Sequence, residues 1–272
     1  MDEAAVSWQQ HGNGVYALHM ASLERLGGVV AYFTGRSGGV SPRWQGGLNW
    51  SLSVGDRPEY VQENRRRSLA AAGLSPDRAA VAGLVHGSRV VAVTGREPAG
   101  AGGMRLVPDC DGLVTDVVGF ALVVTAADCV PLFFYDPAAR AVGVAHAGWR
   151  GTVAGVGSAT VAAMVAHFGC CPESIHAAIG PSIGPCCFEV GEQVIGPLRQ
   201  YYGTDADGLM KPAGHGKWMV DLWEANLLDL KRAGVQDVSV AGECTVCGVA
   251  RLFSHRAESG QAGRGAAIIA LT

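Results

Sequence analysis

The stretch 120–151, FALVVTAADCVPLFFYDPAARAVGVAHAGWRG, constrains this chain more than any other. It holds two apolar runs, and each ends on a reactive side chain. Residues 120–125 lead into Asp128-Cys129, and residues 141–145 lead into His146, followed by Gly148-Trp149-Arg150-Gly151. Short apolar runs bounded by turn residues read as buried strands. Strands that end in Cys, His and Arg place those groups at the edge of a sheet. The stretch therefore reads as half of a metal site, and the question is what completes it.

Composition narrows the setting. A chain of 272 residues with 49% hydrophobic and 17% charged content can build one large core or two small ones. The 39 glycines are about twice the ordinary usage of roughly 7%, which predicts tight turns and loops that bring backbone close to a ligand. A formal net charge of −3 gives no electrostatic footprint for nucleic acid or a membrane surface. Arg65-Arg66-Arg67 lies in a helical pattern and reads as a solvated face. No apolar run reaches the roughly 20 residues needed to span a bilayer. The N-terminus is acidic and polar, unlike a signal peptide. The expectation is a cytoplasmic protein with mostly reduced cysteines. The adjacent pairs Cys170-Cys171 and Cys186-Cys187 are a poor disulfide framework, so the eight thiols read as metal ligands, catalytic groups or buried residues.

Along the chain, residues 1–14 read as a loose, flexible tail. Strands are expected at 15–21, 29–34, 80–85, 89–94, 175–179, 238–241 and 266–271. Asp56 is the expected N-cap of a helix over 57–72. Residues 95–105 read as a Gly- and Pro-rich loop. Thr152 is the expected cap of a buried helix to 168, and further helices are expected at 191–201 and 221–233. The Gly-rich segment 35–41 can bind an anion through its N–H groups, although the pattern favours an ordinary loop. Strands and helices mix irregularly and no linker is visible. That argues for one α+β domain with mixed sheets. Neither a dinucleotide-binding nor a P-loop glycine motif is present.

His86 is the best partner for Cys129 and His146. It follows an apolar run in Leu84-Val85-His86-Gly87, and Gly87 leaves it accessible. Two His and one Cys make a three-ligand set with an open position, the arrangement of catalytic zinc sites. Thiolate and imidazole suit zinc or copper, whereas hard ions prefer oxygen. Each residue also has an ordinary reading. A His at a strand end is commonly a hydrogen-bonded structural residue, and a Cys after an apolar run is commonly a small buried hydrophobe. Ligand sets drawn from distant segments carry no spacing signature, so the residues alone leave both readings open. Cys244-x-x-Cys247 is the rival metal site. A structural zinc there needs a second pair, and neither Cys170-Cys171 nor Cys186-Cys187 has the C-x-x-C spacing. Arg150 offers a planar fork of donors suited to phosphate or carboxylate. Arg36, Arg65, Arg256 and Arg264 are further candidates, and composition does not choose among them.

His146-Ala147-Gly148-Trp149-Arg150-Gly151, with Asp128-Cys129-x-Pro131 and Val85-His86-Gly87 upstream, resembles the multicopper-oxidase-like laccase-domain family of YfiH-type purine nucleoside phosphorylases. The resemblance covers nearly the whole chain. It includes Arg36-x-Gly38-Gly39-Val40-Ser41, Leu48-Asn49, Glu63-Asn64-Arg65 and Asp111-Gly112-Leu113-Val114-Thr115. It continues through Gly180-Pro181-x-Ile183-x-x-Cys186-Cys187-Phe188-Glu189-Val190, Cys244-Thr245-x-Cys247 and Phe253-Ser254-x-Arg256 to Gly263-Arg264. It implies one domain over 15–272, with two mixed sheets packed face to face and helices outside, in four α/β/β/α layers. It implies one zinc or copper ion held by His86, Cys129 and His146. It also implies phosphorolysis of adenosine, inosine, guanosine and methylthioadenosine, and deamination of adenosine. The expected partners are purine nucleosides and phosphate, with no nucleic acid and no membrane, for a monomer or homodimer. Within those motifs, Cys129 and Arg150 are the expected catalytic residues. Arg36, Asn49, Arg65 and Arg150 are the expected binders of nucleoside and phosphate. Two positions depart from the family pattern: Leu84 stands where Gln is usual, and His255 where Tyr is usual.

Three other functions compete. A copper-dependent polyphenol oxidase needs several coppers, and only eight histidines are available. A cysteine-type hydrolase or amidase would use Cys129 as nucleophile with a His as base. A metal- or partner-binding protein would show no turnover.

Overall fold

The computed structural model describes residues 4–44, 46–95 and 103–272. The strands in chain order are β1 (Ser7–Gln10), β2 (Tyr16–His19), β3 (Val29–Thr34), β4 (Ala79–Gly83), β5 (Val90–Ala92), β6 (Arg105–Pro108), β7 (Gly112–Thr115) and β8 (Ala121–Ala126). They continue with β9 (Val130–Asp136), β10 (Ala141–Ala147), β11 (His176–Ile179), β12 (Glu189–Val190), β13 (Met210–Gly214), β14 (Lys217–Val220), β15 (Asp237–Val240) and β16 (Gly265–Leu271). The helices are α1 (Ala21–Glu24), α2 (Pro58–Ala70), α3 (Trp149–Val153), α4 (Val156–Phe168), α5 (Glu192–Tyr202) and α6 (Leu222–Arg232).

One sheet has the order β1-β2-β3-β16-β8-β4-β6, and a second has the order β15-β11-β9-β10-β7-β5. Both are mixed: β4 runs parallel to β6 and β8, β5 to β7, and β11 to β15, while the remaining pairs are antiparallel. Central strands are apolar on both faces, and the packing shows why. Phe33, Leu122, Val124 and Ile269 of the first sheet meet Leu113, Phe133, Tyr135 and Val144 of the second in a shared core. The opposite face of the second sheet, including Leu132 and Phe134, is covered by α4, α5 and α6. The opposite face of the first sheet is covered by Trp50 and by Leu69 of α2. The four expected α/β/β/α layers are therefore present. The chain passes repeatedly between the two sheets, which ties them into one domain.

Several expectations change. Residues 7–10, expected in the loose tail, form an edge strand paired with β2. Trp8 anchors it by stacking on Tyr16 at 4.8 Å and donating to Glu243 at 3.1 Å. Asp56 does not cap α2. Its carboxylate accepts from Ser41 and Asn49 instead, and Arg57 stands at the N-cap with Pro58 in the first turn. The helix expected over 152–168 divides into α3 and α4 at Gly155, whose φ is 72°. A Cβ there would approach the Tyr201 hydroxyl to 2.8 Å. Although apolar, α4 buries only one side and leaves Val165 exposed. The loop expected over 95–105 ends where β6 begins, and residues 96–102 lie outside the described residues. No helix among the described residues is long and apolar enough to cross a membrane.

The inter-sheet core sets stability. Phe133 is fully buried in it. Phe133→Ala is expected to cost about 3–5 kcal/mol, read as a lower urea midpoint. A change under about 1 kcal/mol would mean that the two sheets do not share a tightly packed interface.

Candidate metal centre

The site lies at one edge of the sandwich, and topology puts it there. Strands β4, β6 and β8 are parallel neighbours in the first sheet, so their C-terminal ends share an edge. From that edge each crosses to the second sheet. The crossing from β4 to β5 carries His86, that from β6 to β7 carries Asp111, and that from β8 to β9 carries Asp128 and Cys129. Strand β10 runs the other way and brings His146 back to this edge, opposite Pro131. Strand β16 starts there, just after Arg264, with Gly265 opposite Ala126. Residues scattered over about 180 positions of sequence thus meet because strand ends coincide.

His86, Cys129 and His146 converge so that their ligand atoms all lie within 4.8 Å of one another. The two imidazoles stand nearly perpendicular, with centroids 5.0 Å apart. Asp111, fully buried, organises both. Its carboxylate accepts the backbone N–H groups of Val85, His86 and Gly87 at 3.2, 2.9 and 2.7 Å. These bonds hold His86 at a φ of 61°, a left-handed conformation that a non-glycine residue adopts at a cost. The same carboxylate lies 3.0 Å from His146 Nδ1. Nδ1–H donates to it, so Nε2 is left to face Cys129 and His86. Burial works against the charged Asp111, but hydrogen bonds from His146 and Gly87 outweigh it and hold the carboxyl below its usual range. Asp111 was legible beforehand only as a turn residue and a motif letter.

The space between the three ligands depends on Gly148. A Cβ there would come within 2.9 Å of Cys129 Sγ and 3.3 Å of a His86 ring carbon. Electrostatics favour a thiolate. Burial alone would raise the Cys129 pKa, yet the charge and hydrogen bonding of His146, aided by His86, bring it down to about 6. Burial alone would lower the His146 pKa, and Cys129 and Asp111 drive it upward instead. A soft thiolate, two imidazoles, an inward-facing Nε2 and a cradle kept open by glycine fit a tetrahedral zinc or copper ion with one open position.

The cluster opens onto a cavity of about 450 Å³, within the size range of small-molecule sites. Ile183, Phe188, His255, Arg256 and Arg264 complete its wall, as does Leu84, so both departures from the family pattern face the cavity. A second cavity of about 560 Å³ shares Ser51, Ser53, Leu84 and Thr125 with the first and is lined by Arg65. Arg65 donates to the Trp50 carbonyl. Arg264 lies close enough to Cys129 to feel its charge, and burial lowers its pKa. Its Nη1 bonds the carbonyls of Ala262 and Gly263.

The other expected binders sit elsewhere. Arg36 is 5% exposed, with its guanidinium on the Val249 carbonyl and Glu258 and over the Phe253 ring. Asn49 is fully buried and braces Ser51, Asp56 and the Arg264 N–H. Arg150 is exposed, stacked 4.2 Å over Trp149, and does not line either cavity. Sequence reasoning favoured Arg150 because it lies four residues from His146, but α3 turns it outward. Arg264 and Arg256, further candidates that composition did not choose among, are the arginines that line the cavity with the cluster.

The family described as "Multi-copper polyphenol oxidoreductase laccase" matches residues 30–272. The purine nucleoside phosphorylase YlmD of Geobacillus stearothermophilus is 38% identical over 247 residues, covering 89% of this chain and 90% of the relative. A purine nucleoside phosphorylase of Deinococcus radiodurans is 40% identical over 247 residues, with 88% of each chain covered. The crystal structure of YlmD from Geobacillus stearothermophilus superposes with a TM-score of 0.90 at 35% identity, over 99% of both chains.

Asp111→Ala is expected to weaken zinc binding about 10–100-fold, measured by competition with a chromophoric chelator. Unchanged affinity would remove Asp111 from the site's design. In metal-stripped protein, the lowered Cys129 pKa keeps thiolate present at neutral pH. Its alkylation rate should rise with an inflection near about 6. An inflection at or above the ordinary thiol value of about 8.5 would contradict the imidazole pairing.

Proposed function

The chain belongs to the multi-copper polyphenol oxidoreductase laccase family, and on that basis we propose that it is a metal-dependent purine nucleoside phosphorylase with adenosine deaminase activity. The observation that carries this reading is the shared cavity: the His86–Cys129–His146 cluster, Arg256 and Arg264 line one space. Relatives named purine nucleoside phosphorylase align over nearly the whole chain. The substrates are adenosine, inosine, guanosine and methylthioadenosine, together with phosphate.

His86, Cys129 and His146 would hold one zinc or copper ion, which would supply Lewis acidity at the cavity. Arg264 holds phosphate beside the ribose C1′ through the part of its donor fork that faces the cavity, and Arg256 completes the positive wall. Phe188, over which Arg256 lies at 5.9 Å, offers an aromatic face for the purine. In phosphorolysis a phosphate oxygen bonds to C1′ as the glycosidic C–N bond breaks. The electron pair passes to the base, which takes up a proton. His255, on the cavity wall, is the candidate donor of that proton. The anion-binding role thus falls to Arg264 and Arg256, with Arg65 reaching substrate from the adjoining cavity.

Metal-loaded protein given inosine and phosphate is expected to release hypoxanthine and ribose 1-phosphate, followed by chromatography. No release from any purine nucleoside, with or without phosphate, would reject the proposal. Arg264→Ala is expected to raise the phosphate KM about 10–100-fold, as for loss of a charge-assisted contact. An unaffected phosphate KM would assign the anion to another residue.

A further inference from the structure

The fold makes a second cluster that sequence spacing argued against. Cys186 and Cys187 follow the 180–185 loop, and Cys244 and Cys247 follow β15. In the folded chain the sulfurs of all four lie within 4.8 Å of one another. Cys247 Sγ is 3.7 Å from Cys186 Sγ and 3.6 Å from Cys187 Sγ. A disulfide needs about 2.05 Å. Sulfurs on a tetrahedral zinc, each about 2.3 Å from the ion, stand about 3.8 Å apart. The observed spacings are those of the second arrangement.

The backbone is built around this cluster. The loops pair through a bridge between Ser182 and Cys244, with Ser182 N–H donating to the Glu243 carbonyl and Thr245 N–H to the Ser182 carbonyl. The N–H of Gly184 donates to Cys244 Sγ at 3.3 Å, and the backbone N–H groups of Val246 and Cys247 also point at that sulfur. A C-x-x-C turn whose own amides face its first sulfur stabilises a thiolate there. Gly184 lacks a side chain where a Cβ would press on Trp223 and on Cys244 Cβ. The cluster opens onto a surface cleft lined by Trp223 and Arg251, which gives an ion a way in.

We propose that Cys186, Cys187, Cys244 and Cys247 form a second, structural metal site that takes zinc. Four protein sulfurs close the coordination sphere, so the ion staples and does not catalyse. It joins segments about 60 residues apart in sequence. Both segments supply the wall of the substrate cavity: Ile183 and Phe188 from one, His255 and Arg256 from the other. The guanidinium of Arg256 reaches back across the junction to the carbonyls of Cys187 and Glu189 at 3.3 and 3.1 Å. Zinc at the cysteines therefore fixes the wall that carries Arg256.

The test separates the two sites and does not depend on enzyme activity. The double variant His86→Ala/His146→Ala removes the first cluster. Prepared with zinc and reductant and then dialysed, it is expected to retain about one zinc per chain, counted by elemental analysis. Adding Cys187→Ser and Cys247→Ser should abolish that retention. Cobalt(II) added to the metal-free double variant should give thiolate-to-metal charge-transfer bands and the intense d–d absorption of a tetrahedral sulfur site. The cobalt spectrum carries the test if the quadruple variant fails to fold. Zinc lost on dialysis, a cobalt spectrum without thiolate charge transfer, or a Cys186–Cys247 or Cys187–Cys247 disulfide in the reductant-purified protein would each overturn the proposal.

Discussion

The carboxylate of Asp111 is the interaction on which the site depends. It is fully buried, and a buried charge is tolerated only when its lone pairs are filled. Here three consecutive backbone amides and one imidazole fill them. The amides belong to the turn that carries His86, and the imidazole is that of His146. One charge thus sets the backbone of the first ligand and the tautomer of the second. The partners also gain from the arrangement, because three amides at a sharp left-handed turn have no strand to bond. Without the carboxylate, the turn loses its hydrogen bonds and His146 loses its orientation together.

Asp128 repeats the device one crossing away. It too has a positive φ, and its carboxylate accepts from Thr245, Ser254 and the Arg256 N–H at 2.6, 2.7 and 2.6 Å. Asp111 fixes the turn of His86 and the ring of His146, and Asp128 fixes the loops that carry Thr245, Ser254 and Arg256. Cys129 sits directly after the second aspartate and faces the ligands organised by the first. The geometry of the candidate site is held by polar contacts at the sandwich edge, while the apolar core between the sheets keeps the strand ends in register beneath it.

Local signals in the chain reveal much of this. Apolar runs identified the central strands β3, β8, β10 and β16 within a residue or two. The His-Gly after β4 and the Asp-Cys after β8 stood out as reactive groups at strand ends. What the chain could not show was convergence. Nothing local states that β4, β6 and β8 are parallel neighbours, and that fact alone puts His86, Asp111 and Cys129 on one edge. For the same reason the four cysteines at 186, 187, 244 and 247 looked mismatched, since pairing by spacing ignores the bridge between Ser182 and Cys244. Arg150 shows the converse. Proximity in sequence to His146 suggested a shared site, but the turn into α3 points it at Trp149 and solvent. Arg264 is remote in sequence from every ligand and reaches the cavity because β16 begins beside the end of β8.

The most direct measurement is anomalous diffraction at the metal absorption edge from crystals grown with zinc. The expected result is a peak bonded to His86, Cys129 and His146 at about 2.0–2.3 Å, with Asp111 on the far nitrogen of His146. Full-occupancy zinc elsewhere in the crystal, with no density between these three side chains, would contradict the assignment of this cluster as the metal centre.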